Sequence, residues 1–279
     1  MRVCLFFLAA VMFAGYADAQ SPTAPTIGAQ AYLLFDASTG KVLLEKNSRE
    51  QRPVASTQKL LTALLVAEAG DLDREVEIKP VDTTAAPTKL YLQPGQRYTR
   101  RKLVQALLVR SPNDVAAALA RDHSGSVEAF AEAMNRRMME LRGTDSNFRN
   151  PHGLPDEQQF STARDMAIVA RAVYFHPTLR EMVRIPAMNF RRGDGNTLPL
   201  QNTNRVLRTY EFCNGMKTGY TRLSGHCLIS SGTWNGRHVI AVVLGSNRAN
   251  IWDESTRLLA YGLGISPAAL PNHRRPGAN

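Results

Sequence analysis

The sequence predicts an α/β fold in which strands from the two ends of the chain form one sheet and the middle of the chain supplies helices. Three observations carry this expectation. Aliphatic and β-branched runs bounded by turn residues cluster near residues 31–45 and 227–244, and apolar residues recur at helical spacing between 57 and 175. No internal repeat and no long biased segment divides the 279 residues.

Taken in order, Ala31–Phe35 and Lys41–Glu45 read as strands joined by the turn residues Ser38-Thr39-Gly40. Thr57–Ala69 is apolar at helical spacing with Gly70 as its stop, and Arg100–Arg110 follows Thr99, a candidate N-cap. Further helices are expected at Asp114–His123, at Val127–Arg142 before Gly143, and at Ala163–Phe175 after Ser161-Thr162. Lys217-Thr218-Gly219 lies in a short run read as an edge strand. Cys227–Ser231 and His238–Leu244 flank Asn235-Gly236, a favoured hairpin turn, and Ile251–Tyr261 reads as a last helix. A sheet built from both ends around a helical middle gives two parts that face each other across a cleft, where ligands usually sit.

Residues 1–19 read as a secretory leader: Arg2, an apolar run from Val3 to Ala14, then Ala17-Asp18-Ala19 as the small-x-small exit. The apolar run is short of the roughly 20 residues that cross a bilayer, so cleavage after Ala19 and export are expected. Residues 20–27 are expected to form a flexible lead-in, 28–264 one continuous domain, and 265–279, with Pro267, Pro271 and Pro276, a disordered tail. The leader carries one Arg and one Asp, so its loss preserves the net charge of +10. The basic residues are scattered rather than gathered in a stripe, which argues against nucleic acid and leaves an anionic wall polymer, an anionic membrane surface or plain solubility. No pair among the six His residues has metal-ligand spacing, and Cys213 and Cys227 are not a Cys-x-x-Cys pair, so neither metal nor cofactor is expected. Whether those two cysteines form a disulfide is open on spacing alone.

Three short elements carry chemistry. Ser56-Thr57-Gln58-Lys59 opens the first strong helix, and residues three apart share a helical face, so hydroxyl and amine can meet. A neutral amine beside a Ser hydroxyl makes a nucleophile with its base. Ser111-Pro112-Asn113 sits between two expected helices, where the hydroxyl can relay a proton and the carboxamide can hold a substrate amide. Lys217-Thr218-Gly219 sets a cation, a hydroxyl and a residue without a side chain along one strand, which suits recognition of a terminal carboxylate. Each element alone has an ordinary reading as a helix cap, a turn or a hairpin end. Together and in this order they form the set known from β-lactamases and penicillin-binding proteins.

On these residues the sequence resembles the low-molecular-mass penicillin-binding proteins, the D-alanyl-D-alanine carboxypeptidase family of serine peptidases. The likeness extends through Ala55–Thr62, Asn150-Pro151-His152-Gly153-Leu154, Asn202-Thr203-Asn204 and Gly215–Thr221, over roughly residues 28–264. The resemblance implies an α/β (α+β) fold of the β-lactamase/transpeptidase type, with an antiparallel sheet of about five strands, flanking helices and an inserted helical part. It implies acylation of Ser56 by peptidoglycan peptides ending in D-Ala-D-Ala, release of the last D-Ala, hydrolysis of the acyl-enzyme, and covalent inhibition by β-lactams. It places the oxyanion between the N–H groups of Ser56 and Tyr220. Pro112 departs from the small residue usual at its position, and Gln96 from an acidic one.

The catalytic set is therefore expected to be Ser56, Lys59 and Ser111, with Asn113, Lys217, Thr218, Gly219 and Tyr220 binding substrate. For Lys59 to act as base near neutrality its pKa must fall about three units. Burial, the helix N-terminus and Lys217 are expected to lower it, leaving Lys59 neutral and Lys217 charged. His152 is expected to serve turn architecture rather than catalysis. A monomer, periplasmic or wall-associated and without a C-terminal membrane-binding helix, is expected. The alternatives are a DD-endopeptidase that cuts cross-links and a non-catalytic peptidoglycan-binding protein; a β-lactamase is disfavoured by the lack of a Glu-x-x-Leu-Asn stretch.

Overall fold

The computed structural model describes residues 23–275, so the leader expected at 1–19 lies outside the described residues. Strands β1 (Ala31–Asp36) and β2 (Val42–Lys46) form a hairpin, and a 3-10 turn at Ala55–Gln58 runs into α1 (Lys59–Glu68). A ribbon of β3 (Glu75–Glu77) and β4 (Arg97–Thr99) precedes α2 (Arg100–Arg110), α3 (Asn113–Ser124), α4 (Val127–Glu140), α5 (Ala163–Phe175) and α6 (Pro177–Met182). A second ribbon, β5 (Ala187–Arg191) with β6 (Thr197–Gln201), leads to α7 (Arg205–Thr209), β7 (Cys213–Thr221), β8 (Gly225–Trp234), β9 (Arg237–Ser246) and α8 (Ile251–Leu263).

The main sheet is antiparallel with five strands in the order β2-β1-β9-β8-β7, as the resemblance implies. Both of its faces are covered, and the strands show it: on β9, Ile240, Val242 and Leu244 enter the core under the helical part, while Val239, Ala241 and Val243 enter the core under α8. That alternation is the period-2 pleat with apolar residues on both sides. α1 is buried continuously from Lys59 to Ala67, which makes it the central helix of the helical part. The caps follow the sequence: Thr99 Oγ1 accepts from Lys102 N at 3.2 Å and Thr162 Oγ1 from Asp165 N at 3.0 Å.

Three differences from the sequence reading have physical causes. The first helix begins as a 3-10 turn, because Val54 to Gln58 is wedged between β7 and the Asn150–Leu154 turn. The two ribbons, α6 and α7 span only three to six residues each, too short for periodicity to reveal. The expected tail is folded as far as Arg275. A 3-10 helix at Pro267–His273 packs Leu270 and His273 against the α8 side of the sheet, with His273 4.4 Å from Trp234, and Arg275 donates to Leu207 O at 2.9 Å. Proline marked where the regular helix stops, but the apolar residues around it found a surface to cover.

Candidate active site

Ala55 precedes the nucleophile in the left-handed region, φ 48°, a conformation that costs an L-residue of order 1 kcal/mol or more and recurs at functional sites. The 3-10 turn that follows eclipses side chains three residues apart, so Lys59 lies directly over Ser56. Lys59 Nζ is 2.6 Å from Ser56 Oγ, 2.7 Å from Asn113 Oδ1 and 2.6 Å from the carbonyl oxygen of His152. Lys59 itself is fully buried.

That triplet determines the direction of the amine. A neutral amine has two N–H donors and one lone pair. Asn113 Oδ1 and His152 O can only accept, so in the neutral form they can take the two N–H groups and leave the lone pair for the Ser56 hydroxyl, which in the structure also lies 3.2 Å from His152 O. Burial holds the Lys59 pKa well below its ordinary value; Lys217 pushes it further down, and Asp114 opposes. Asp114 is buried beneath the site and accepts from the N–H groups of Leu90 and Leu92, which ties down the loop carrying Thr88.

Asn113 starts α3, and its carboxamide is engaged at both ends: Oδ1 with Lys59, Nδ2 with Ala86 O at 2.8 Å. One bond at each end leaves a second Nδ2 hydrogen and a second Oδ1 lone pair free, so the expected role toward a substrate amide stays open to it. Ser111 caps α2 in the left-handed region, φ 68°, and its side chain lines the groove without a hydrogen-bond partner among the described residues. Pro112 supplies the N-cap of α3 at φ −70°, within the range its ring allows.

β7 forms the outer edge of the sheet on this side, so its free backbone edge is open to an added strand. Lys217 and Gly219 lie opposite Ile229 and Cys227, residues of the core under the helical part, so both point toward Ser56. A Cβ at 219 would stand 2.9 Å from Ser56 N, which is why only Gly lets β7 approach the nucleophile. Lys217 is 1% exposed and donates to Thr218 O at 2.9 Å, and burial draws its pKa down to about 7. Burial thus works against the charge expected on Lys217. Tyr220 is 61% exposed and stacks on His226 with ring centroids 4.4 Å apart.

The groove, about 330 Å3, is lined by Ser56, Ser111, Thr218, Gly219 and Tyr220 together with residues the sequence reading did not assign. Thr203 is one; its hydroxyl meets Thr218 Oγ1 at 2.7 Å, and the Asn202-Thr203-Asn204 triplet was the available signal. Arg110 and Trp252 are others, with Arg205 stacked over the Trp252 ring at 5.4 Å. No carboxylate lines the groove among the described residues. The His152 carbonyl was invisible to sequence because it acts through its backbone. Its imidazole is pushed down to about 3 by burial and the neighbouring Lys59, so the ring is neutral. Asn150 Oδ1 accepts from the N–H of Gly153 at 2.8 Å, and Gln58 Nε2 donates to Asn150 O, together pinning the turn that presents that carbonyl.

Cys213 and Cys227 are free thiols that face opposite sides of the sheet, one in each core, which rules out a bridge across the strands in this fold. Burial pushes them up to about 12 and about 11. No group of His, Cys, Asp and Glu among the described residues is arranged to hold a metal ion, and no described helix is long and apolar enough to cross a membrane.

The D-alanyl-D-alanine carboxypeptidase family model matches residues 18–248. Among similar proteins, the D-alanyl-D-alanine carboxypeptidase DacF of Bacillus subtilis is 33% identical over 224 residues, 78% of this chain and 58% of that protein. DacB2 of Mycobacterium tuberculosis, also a D-alanyl-D-alanine carboxypeptidase, is 31% identical over 86% of this chain and 84% of its own. The chain thus spans little more than half of the first relative and most of the second. Among solved structures, a D-alanyl-D-alanine carboxypeptidase from Mycobacterium tuberculosis superposes with TM-score 0.83 at 28% identity, covering 89% of this chain and 96% of that one. The Streptomyces K15 DD-transpeptidase gives 0.82 at 27% identity, covering 88% and 100%.

Proposed function

The chain belongs to the D-alanyl-D-alanine carboxypeptidase family, and we propose on that basis that it removes the terminal D-Ala from peptidoglycan stem peptides through an acyl-enzyme on Ser56. The observation that carries this reading is the 2.6 Å contact between Lys59 Nζ and Ser56 Oγ, with Asn113 Oδ1 and His152 O as acceptors for the same amine. Lys59 takes the Ser56 proton as Oγ attacks the carbonyl carbon of the penultimate D-Ala. The developing oxyanion lies between the N–H groups of Ser56 and Tyr220; that of Ser56 is in the first turn, where no intrahelical acceptor exists. Ser111 carries the proton onward to the leaving nitrogen, its hydroxyl being free of other partners. The peptide's carboxylate rests on Lys217, Thr218 and Thr203, and the absence of any lining carboxylate favours such an anionic end. Water then attacks the acyl-enzyme with Lys59 again as base.

β-Lactams place a carboxylate and a strained amide in the same relation, so a fluorescent penicillin is expected to label Ser56 once per chain. Mass spectrometry of the adduct tests this; equal labelling of Ser56→Ala would overturn it. Release of free D-Ala from monomeric muropeptides, compared with cleavage of cross-linked ones, separates the carboxypeptidase from the endopeptidase. We place the enzyme outside the inner membrane, with residues 1–19 as its leader and its charge of +10 suited to an anionic wall.

The pH profile follows from the two lysines. Lys59 must be neutral and Lys217 protonated. Burial, with the charge of Lys217, lowers the Lys59 pKa and so favours its base form, while Lys217 loses its proton as pH rises through about 7. kcat/KM should therefore fall above about pH 7, and kcat should fall only at higher pH, because a bound carboxylate favours the charged amine. In Lys217→Arg the falling limb should move up by more than about two units, since a guanidinium keeps its proton. A limb that stays in place in that variant would assign it to another group.

A further inference from the structure

At the sheet edge opposite β7, a cavity of about 390 Å3 opens between the β1–β2 hairpin, α5 and the loop after α4. It shares no residue with the catalytic groove. Its floor is apolar, from Leu33, Phe35 and Val42 on the hairpin and Ala167 and Ile168 on α5. Its rim carries four arginines: Arg49, Arg142, Arg164 and Arg171. On α5 the sequence builds this directly, because 164, 167, 168 and 171 recur at i, i+3, i+4 and i+7 and so share one helical face, with a guanidinium at each end and two apolar side chains between.

The arginines are only partly neutralised. Arg49 meets Asp145 at 3.3 Å and Arg164 meets Glu45 at 3.5 Å, both long for ion pairs. Arg171 donates to the carbonyl oxygens of Ala37 and Ser38, which leaves its charge unpaired. The Arg142 guanidinium has no ion-pair or hydrogen-bond partner among the described residues, its backbone N–H donating to Met139 O, and Arg164 Nε is buried without one. The carboxylate in the wall, Asp165, is buried and accepts from Asp145 N and the Ser146 hydroxyl, so it belongs to the local turn.

We infer that this cavity is a second binding site, for a small soluble amphipathic anion whose phosphate or carboxylate head pairs with arginines of the rim, Arg142 and Arg171 among them, and whose apolar body lies on Phe35 and Ile168. Guanidinium groups match both oxyanions in a two-pronged geometry. The volume is at the small end of the range for small-molecule sites and suits neither a polymer nor a duplex. None of the exposed large apolar side chains lines it, and Phe175 reaches its rim, where the Arg171 guanidinium stands 5.1 Å from the ring centroid.

Octyl phosphate, titrated into the protein below its micellar concentration and followed by calorimetry, should bind once per chain and at least about tenfold more tightly than inorganic phosphate. Affinity should fall about tenfold or more in Arg142→Gln and in Arg171→Gln, and should be unchanged in Ser56→Ala. The Arg142 side chain makes no hydrogen bond or ion pair among the described residues, so an unchanged thermal midpoint in that variant is expected and certifies the fold. Equal binding by the parent and both arginine variants overturns the inference, as does binding lost on acylation of Ser56. Adsorption to anionic phospholipid vesicles without saturable binding of octyl phosphate also overturns it, assigning the face to a membrane surface. Each of these outcomes is independent of whether the groove cleaves D-Ala.

Discussion

Lys59→Arg should acylate at least about 10^3-fold more slowly than the parent, and Lys59→Met about 10^4-fold, read as the rate of covalent labelling by a fluorescent penicillin. The pair of variants separates two roles. If Lys59 served only as a cation holding the site together, arginine would keep the charge and much of the rate. As a base it must offer a lone pair, and a guanidinium has none at any working pH. Met matches the stem in length but leaves Asn113 Oδ1 without a donor, at about 1–3 kcal/mol, while the His152 carbonyl keeps only the Ser56 hydroxyl. Lys59→Met is therefore expected to be less stable as well as inactive, and thermal unfolding read beside labelling distinguishes the two losses. Arginine retaining the parent rate to within about tenfold would remove Lys59 from the role of base.

Gly153→Ala should lower the acylation rate by about 10^2-fold and destabilise the protein by about 2–4 kcal/mol, although residue 153 does no chemistry. Gly153 has φ 83°, and a Cβ there would lie 2.1 Å from Ala55 O and 2.9 Å from Ser56 N. These are backbone atoms of a segment already in the left-handed region at Ala55, so they cannot swing aside as a flexible side chain would. The turn and the nucleophile segment must part, and the His152 carbonyl that orients Lys59 moves with the turn. Gly236→Ala is the control. Gly236 has a similar φ of 73° at the β8–β9 hairpin, but open space around it, so only the backbone cost of about 1 kcal/mol remains and acylation should be unaffected. Urea unfolding and labelling of the two variants test the comparison; equal activity in both would mean that the nucleophile segment tolerates displacement.

Much of this protein follows from its sequence alone. Apolar spacing and capping residues determined α2 and α5 to the residue, because a helix of eleven or thirteen residues repeats its pattern enough times to be read. Asn235-Gly236 determined the β8–β9 hairpin, since few residue pairs adopt positive φ twice in succession. The meeting of the Ser56 hydroxyl and the Lys59 amine was likewise determined by local spacing, the two being neighbours on one turn of chain. Tertiary structure alone decided the rest. The β3–β4 and β5–β6 ribbons exist because a surface was there to pair them, and the segment around Leu270 is folded because the sheet face beneath α8 needed covering. The protonation of Lys59 and Lys217 was decided in the same way. Desolvation depends on every atom packed around an amine, and the partners that orient Lys59, the His152 carbonyl and Asn113, are remote in the chain and brought to it only by the packing of the turn and α3 against α1.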